Sequence, residues 1–331
     1  MQDPNGSLTP PDPRFAGHLT ETCTGPDCFV RQHMACVRKD LDPFNLGSLA
    51  KVKGKLYCES CRTKWSNPFF EKVKDIMGPI VVESKQPLAV SRIITRDHLS
   101  YIRKMDGQAQ LQLICLQLDD AVLLRQHWPL EVSLVVNDHA VRVIGRQSKI
   151  ALGINQRDEA ANLNHIARLG SNTIRFSFDD PGRKYILFLQ LMRKLTVEEV
   201  KKKMNPPLSL VEAEIRMKRL VMGDDEDLVT ERSRISLKCP LLGSRMRRAA
   251  RFADSDGIDN VFDLEAILDS AQRTRRWICP HSLRSSALFH LQEDAYLNRV
   301  LDCLKDSPDV VEIEVDPEAR WRPIYPSSGE E

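Results

Sequence analysis

Apolar and polar residues alternate in several stretches of the chain and recur at helical spacing in others. AQLQLICLQL (109–118) places polar residues at every second position over its first half, which predicts a strand. EVSLVVNDHAVRVIG (131–145) reads as a hairpin around Asn137 and Asp138, residues that tolerate the left-handed backbone of a tight turn. TIRFSFDDPGRKYILFLQLM (173–192) reads as a second hairpin, turning at Asp179-Asp180-Pro181-Gly182. Short helices are expected at 95–105 and 196–204, the latter opened by Thr196 with Glu199 in capping-box register. SLVEAEIRMKRLVMG (209–223) is an amphipathic helix ending on a glycine. FDLEAILDSAQRTRR (262–276), with Asp263 near its start, and EDAYLNRVLDCLKD (293–306) are two more helices. VVEIEVDPEARWRPIY (310–325) closes the series as a hairpin turning at Asp316-Pro317.

Composition changes this picture little. At 331 residues the chain has room for two or three cores, and 42% hydrophobic with 28% charged residues is ordinary for a globular protein. The formal charge of +2 excludes polyanion binding by bulk electrostatics. Basic runs at 51–55, 200–203, 245–251 and 273–276 read as solvated faces. No stretch reaches the roughly 18 consecutive apolar residues of a membrane span. Residues 1–14, rich in Pro, Asp and Gly, read as disordered, and no export signal is recognised.

The cysteines change it more. Of nine, five crowd the first part of the chain, while Cys115, Cys239, Cys279 and Cys303 are scattered. Cys23-x4-Cys28, His33-x2-Cys36 and Cys58-x2-Cys61 are three chelating pairs, and zinc prefers thiolate and imidazole donors in a tetrahedron. Metal rather than disulfide use is expected.

The order Cys, Cys, His, Cys, Cys, Cys resembles the last six ligands of a PHD finger. That resemblance implies one complete zinc site of Cys23, Cys28, Cys58 and Cys61. It leaves His33 and Cys36 as an incomplete second site, with His18 the one upstream candidate to join them. Arg31 stands near the point where the family carries an aromatic residue before the histidine, which weakens any methyl-lysine cage.

Further along, ISLKCPLLGSRMRRAARF and FDLEAILDSAQRTRRWICP resemble the SP-RING of the Siz/PIAS family of SUMO ligases, the plant Siz type above all. LYCESCR (56–62) is similar to the end of that family's PHD finger. VLLRQHWPLEVSLVVNDHAVRVIGR (122–146) and LGINQRDEAANLNHIARLGSNTIRFSF (152–178) are similar to its PINIT domain, and YLNRV with VEIEVDPEARWR to its C-terminal extension. The fold class implied is multidomain and mixed. A PHD-like zinc finger (15–65) is followed by a β-rich PINIT domain (79–204), a helical linker (205–230), an α/β RING-like SP-RING (231–290) and the extension (291–325).

The family's SP-RING binds zinc through a Cys and a His of a core motif and two Cys of a closing motif. Here Ser255 or Asp256 stands at the core Cys, Gly257 or Ile258 at the His, and Ser282 replaces the second closing Cys; Val261 takes a further Cys position. Cys279 alone survives in register. A makeshift site of Asp256, Cys279 and His281 is one reading. A zinc-free domain held by Leu237, Phe262, Leu264, Ile267, Leu268, Trp277 and Ile278 is the other, and the preferred one. Without that zinc the loop around Cys279 is expected to be mobile and transfer weak.

The resemblance implies an E3 SUMO-protein transferase with no nucleophile of its own, working in the nucleus on nuclear protein substrates. Its partners would be SUMO and the SUMO-conjugating enzyme, the latter docking at Pro240, Leu241, Leu242, Cys279 and Pro280. Leu241 and Leu242 read equally as core. Trp128-Pro129 and residues 155–158 match the substrate-orienting domain or serve structure. The alternative is a catalytically impaired paralogue that binds substrates, or touches chromatin through its finger.

Overall fold

Where strands carry apolar residues on one face, they need a second layer to cover it, and the middle of this chain supplies two such layers. The computed structural model describes residues 20–33, 56–118, 120, 122, 124–145, 158–222, 232–255 and 257–325. Residues 1–14, His18, Cys36 and Asp256 lie outside them.

A short antiparallel pair, β1 (Thr20–Thr22) and β2 (Arg31–His33), opens the described chain. Helix α1 (Glu59–Ser66) follows, then β3 (Phe70–Glu83), β4 (Leu88–Ile94) and helix α2 (Arg96–Lys104). The Thr95 side chain caps α2 from its N-terminus. Strand β5 (Ala109–Gln117) leads to β6 (Val132–Val136), β7 (His139–Ala140), β8 (Ala161–Asn162), β9 (Gly170–Phe178) and β10 (Lys184–Lys194).

These strands form two antiparallel four-stranded sheets, ordered β3-β10-β5-β8 and β4-β9-β6-β7. Met77, Leu113, Tyr185 and Leu187 of the first share one core with Leu134, Ile174, Phe176 and Phe178 of the second. The β6–β7 hairpin turns at Asn137 and Asp138, both at positive φ, as its sequence predicts. Asn137 also accepts from the Thr173 backbone N–H and donates to Asn172 Oδ1, tying the turn to β9.

The expected hairpin at 173–192 does not form. β9 and β10 follow one another but lie in different sheets, so Asp179–Gly182 is a crossover. Phe178 and Tyr185 therefore meet edge-to-face across the core, their ring centroids 4.9 Å apart, instead of pairing side by side. The two strands differ accordingly. β9 alternates between buried and more accessible residues, whereas β10 is buried almost throughout because it runs through the middle of its sheet. β3 starts at Phe70, upstream of position 79. Gly78-Pro79, at the expected start of the domain, sits inside this edge strand, opposite a register irregularity between Leu187 and Leu189 of β10.

Beyond β10 come α3 (Val197–Lys201), with the expected Thr196–Glu199 capping box, and α4 (Leu210–Met222). Strands β11 (Ser233–Ser236), β12 (Ala249–Phe252) and β13 (Phe262–Asp263) precede helix α5 (Leu264–Thr274). Asp263 caps α5 by accepting from the Glu265 and Ala266 N–H groups. β14 (Leu291–Glu293), helix α6 (Ala295–Cys303), β15 (Glu312–Val315) and β16 (Trp321–Ile324) finish the fold. Two three-stranded sheets result, β13-β12-β14 and β11-β15-β16.

The first and third regions are not separate bodies. Cys23, Tyr57, Cys58, Cys61, Trp65 and Phe69 belong to the same buried cluster as Leu237, Phe262, Leu268, Trp277, Cys279 and Leu297.

Candidate metal centre and docking loops

Four of the N-terminal cysteines converge although the sequence holds them apart. Cys23 follows β1, Cys28 sits beyond a tight turn, and Cys58 and Cys61 occupy the N-cap and first turn of α1. The turn is closed by the Cys28 N–H donating to Gly25 O at 3.2 Å and the Cys23 N–H donating to Val30 O at 2.8 Å. All four sulfurs lie within 4.8 Å of one another. Cys28 Sγ and Cys58 Sγ are 3.7 Å apart, against about 3.8 Å between two sulfurs on a tetrahedral zinc. The N–H groups of Gly25 and Cys58 donate to Cys23 Sγ at 3.4 and 3.3 Å, the bonds a thiolate accepts. A Cβ at Gly25 would lie 2.6 Å from Cys61 Sγ, so the turn closes over the cage only because that residue is glycine.

Burial pushes the Cys58 thiol up to about 12 and raises Cys61 as well. At Cys28 burial acts the same way, but hydrogen bonds from the Val30 backbone and the other thiols outweigh it and lower the pKa. Zinc binding would have to displace the protons of these thiols, which makes affinity at this cage pH-dependent. The donor set fits zinc. His33 lies in β2, and its expected partner Cys36 falls outside the described residues.

The third region contains no such cluster among the described residues. Ser255 is buried, accepts from Asn260 Nδ2 at 2.9 Å, and lies 4.0 Å from Cys279 Sγ. His281 is exposed, and its Nε2 lies 3.2 Å from Val261 O, so the ring is engaged elsewhere than at Cys279. Ile258, one of the two candidates for the family's histidine position, packs against the core, and Val261, at the further cysteine position, is buried, so apolar contacts take both places. Ser282 Oγ is buried without a hydrogen-bond partner.

The two Cys-Pro loops share one geometry. Lys238 bridges Arg245, and Ile278 bridges Ser285. Cys239 N–H donates to Ser244 O and Cys279 N–H to Arg284 O, at 2.8 and 3.0 Å; the Gly243 and Leu283 N–H groups donate back to Cys239 O and Cys279 O. Both cysteines are buried pins: Cys239 Sγ accepts from the Asp263 N–H at 3.3 Å. At the tips, Leu241 and Leu242 are 41% and 58% exposed, which decides against their reading as core.

Leu283 was not among the expected docking residues. It is 75% exposed and occupies the place of Gly243, with φ +56° where glycine has +70°. Holding a leucine there costs roughly 1 kcal/mol or more. Laying CPLLG over CPHSL in the sequence would have found it. Trp128, by contrast, is core. Its indole donates to Glu159 O at 2.7 Å and its N–H to Asp158 Oδ2 at 2.6 Å, so the Trp-Pro match serves structure.

The base of the loop around Cys279, a loop expected to be mobile, is packed, while His281, Leu283, Arg284 and Ser285 are exposed. Trp277 stacks on Phe69 with centroids 5.9 Å apart and planes 11° from parallel. The Ser286 N–H donates to Trp277 O at 2.8 Å, closing the loop's base.

No family model matches the chain. It is 31% identical over 324 residues to the E3 SUMO-protein ligase SIZ1 of rice (Oryza sativa), covering 91% of this chain and 36% of that protein. It is 26% identical over 281 residues to the mouse E3 SUMO-protein ligase PIAS4, covering 78% of this chain and 54% of that one. The chain thus spans little more than a third of the plant relatives it matches, the Arabidopsis SIZ1 included. Among solved structures, the yeast SUMO E3 ligase SIZ2 superposes with a TM-score of 0.58 over 78% of this chain and 99% of its own, at 16% identity. Similar in sequence over nine-tenths of its length to one, and in fold to the other, the chain is a relative of the Siz/PIAS-type SUMO ligases.

Proposed function

We propose that the chain acts as a SUMO-protein ligase (E3), holding the SUMO-charged conjugating enzyme and a protein substrate together so that a substrate lysine attacks the thioester. The observation that carries this reading is the pair of matched Cys-Pro loops, which present exposed Leu241, Leu242 and Leu283 on buried cysteine pins. Such a surface supplies no nucleophile. Its contribution is proximity and orientation, effects worth roughly 7–11 kcal/mol in well-oriented reactions.

In this reading the finger (15–65) holds one zinc on Cys23, Cys28, Cys58 and Cys61, with His33 and Cys36 the remnant of a second site. The sandwich (79–204, with β3 reaching back to Phe70) orients the substrate, residues 205–230 link it to the SP-RING-like region (231–290), and residues 291–325 extend that region. Zinc supplies the finger with a rigid fourfold anchor; the residues named do the rest. Substrates would be nuclear proteins, with the chain working in the nucleus and touching chromatin weakly at most. Among the described residues no helix is long and apolar enough to cross a membrane.

A reconstituted transfer assay with activating enzyme, conjugating enzyme, SUMO and a lysine substrate tests the reading. Stimulation above conjugating enzyme alone is expected, and loss of that stimulation with Leu241→Asp plus Leu242→Asp, both on exposed side chains. The replaced ligand positions, Ser255 or Asp256, Gly257 or Ile258, and Ser282, favour a second reading, an impaired paralogue that binds substrate as an adaptor. Binding of the conjugating enzyme or a substrate with no stimulation at any concentration would establish that one instead.

A further inference from the structure

Helix α1 joins three things that the sequence keeps apart. At its N-terminus are Cys58 and Cys61 of the thiol cage. In its middle, buried Arg62 donates to the backbone oxygens of Gln117 and Leu118, at the end of β5 in the sandwich. At and beyond its C-terminus, Trp65 meets Phe289 edge-on at 5.0 Å and Phe69 stacks on Trp277. Tyr57, just before the cage, reaches the same Phe289 at 6.0 Å. Trp277 stands at the base of the second Cys-Pro loop, its carbonyl closing the loop through Ser286.

The helix is poorly able to stand alone. It has eight residues, and Cys58 makes no side-chain capping bond. Isolated helices shorter than about 12 residues are marginal in water. Its N-terminal anchor is the cage, where a bound metal would tie Cys58 and Cys61 to Cys23 and Cys28. The loop it buttresses is the one whose own metal ligands are replaced by Ser282 and by packing.

We propose that α1 is a strut through which the four-thiolate site of the finger positions the Cys279 loop, with Phe69 as the positioning residue. Metal in the finger then does remotely, through the Phe69–Trp277 stack, what the third region no longer does for itself. The inference needs the cage to hold zinc, as proposed above, but not that the chain transfers SUMO.

Hydrogen exchange on the full chain tests it, with zinc content measured in parallel. The amides to follow are those of Cys279, Leu283 and Ser286; those of β6 and β9, on the far sheet, are the control. Removing zinc with a chelator should speed exchange of the loop amides by roughly tenfold or more, as expected of a local opening, and leave the control sheet within a factor of about two. Phe69→Ala should speed the same amides with zinc still bound, and chelation should then add little, because both act through one contact. Equal exchange with and without zinc would overturn the strut, as would equal loss of protection in the control sheet. Persistence of the full chelator effect in Phe69→Ala would overturn the role of that residue. If the chain as purified binds no zinc, the cage reading fails and the strut with it, and the measured metal content separates that result from the others.

Discussion

Asp120 and His127 lie 2.5 Å apart, carboxylate oxygen to imidazole Nδ1, each side chain 1% exposed. Arg125 completes the cluster with two bonds to the same carboxylate, at 2.7 and 2.8 Å, and the Val122 N–H adds a third at 2.9 Å. The three side chains lock the connection between β5 and β6 against the sandwich, where His127 meets Tyr185 edge-on. Burial by itself would raise the Asp120 pKa, but the hydrogen bonds from His127 and Arg125 outweigh it and hold the carboxyl well below the usual range. A depressed pKa contributes stability that is fully present above the unfolded value, near 4, and is lost as pH falls from there toward the folded pKa.

Asp120→Asn should therefore destabilise the fold at pH 7 by roughly 3–5 kcal/mol, the usual cost of leaving a buried partner uncompensated. The deficit should shrink as pH falls below about 4, because protonation removes the same charge from the parent chain. Urea denaturation of both proteins at neutral and acid pH measures this. A deficit that grows on acidification would show that Asp120 is not the titrating group.

Gly25 makes a sharper test of the finger. Its Cβ would fall on Cys61 Sγ, whereas a Cβ at Gly78, on the sheet edge, meets nothing within 4 Å. Gly25→Ala should weaken zinc binding by roughly 10–100-fold, the range seen when the surroundings of a metal ligand are disturbed. Gly78→Ala should leave it unchanged. A competition titration against a chromophoric chelator reads both.

Metal stoichiometry separates the finger from the third region. One zinc per chain is expected, with Cys58→Ser and Cys61→Ser each losing it and Cys279→Ser keeping it, since Cys279 has Ser255 for its sulfur neighbour and, among the described residues, belongs to no metal-binding cluster. Elemental analysis of the full-length variants measures this. Two zincs in the parent, or loss of metal on Cys279→Ser, would place a second site where the described residues hold none.

The elements with strong local signals were legible. Asn137-Asp138 announces its turn by residue type, and Thr196, Asp263 and the 209–223 pattern announce their helices by caps and spacing. The thiol set was legible through chelate spacing and the family resemblance, and the structure brings those four sulfurs together. What failed was pairing. A hairpin and a sandwich crossover look alike when a short Asp-Pro-Gly turn joins two strands, and only the unbroken apolar run of β10 hinted that it sits mid-sheet. Leu283 was missed for another reason: its exposure follows from the loop's hydrogen bonds, not from its neighbours in sequence. The contact of Phe69 with Trp277 is a long-range packing fact that no local pattern carries.

The remaining question is how much the packed loop loses for want of its own metal. Cys279 is in place, and Ser282 presents a buried oxygen with no partner, so a thiol there would replace an unsatisfied group rather than a working one. Restoring Asp256→Cys, Ile258→His and Ser282→Cys should raise zinc from one to two per chain. Ile258 packs against the core, so the histidine will cost some stability until the metal binds and offsets it. A misplacement of about 1 Å can cost roughly 100-fold in rate, which bounds the gain in transfer from a tighter loop. An increase of that order or smaller, dependent on the second zinc, is the expected outcome in the reconstituted assay. If the second zinc binds and the rate does not move, packing through Phe69 and Trp277 already holds the Cys279 loop as firmly as a metal would.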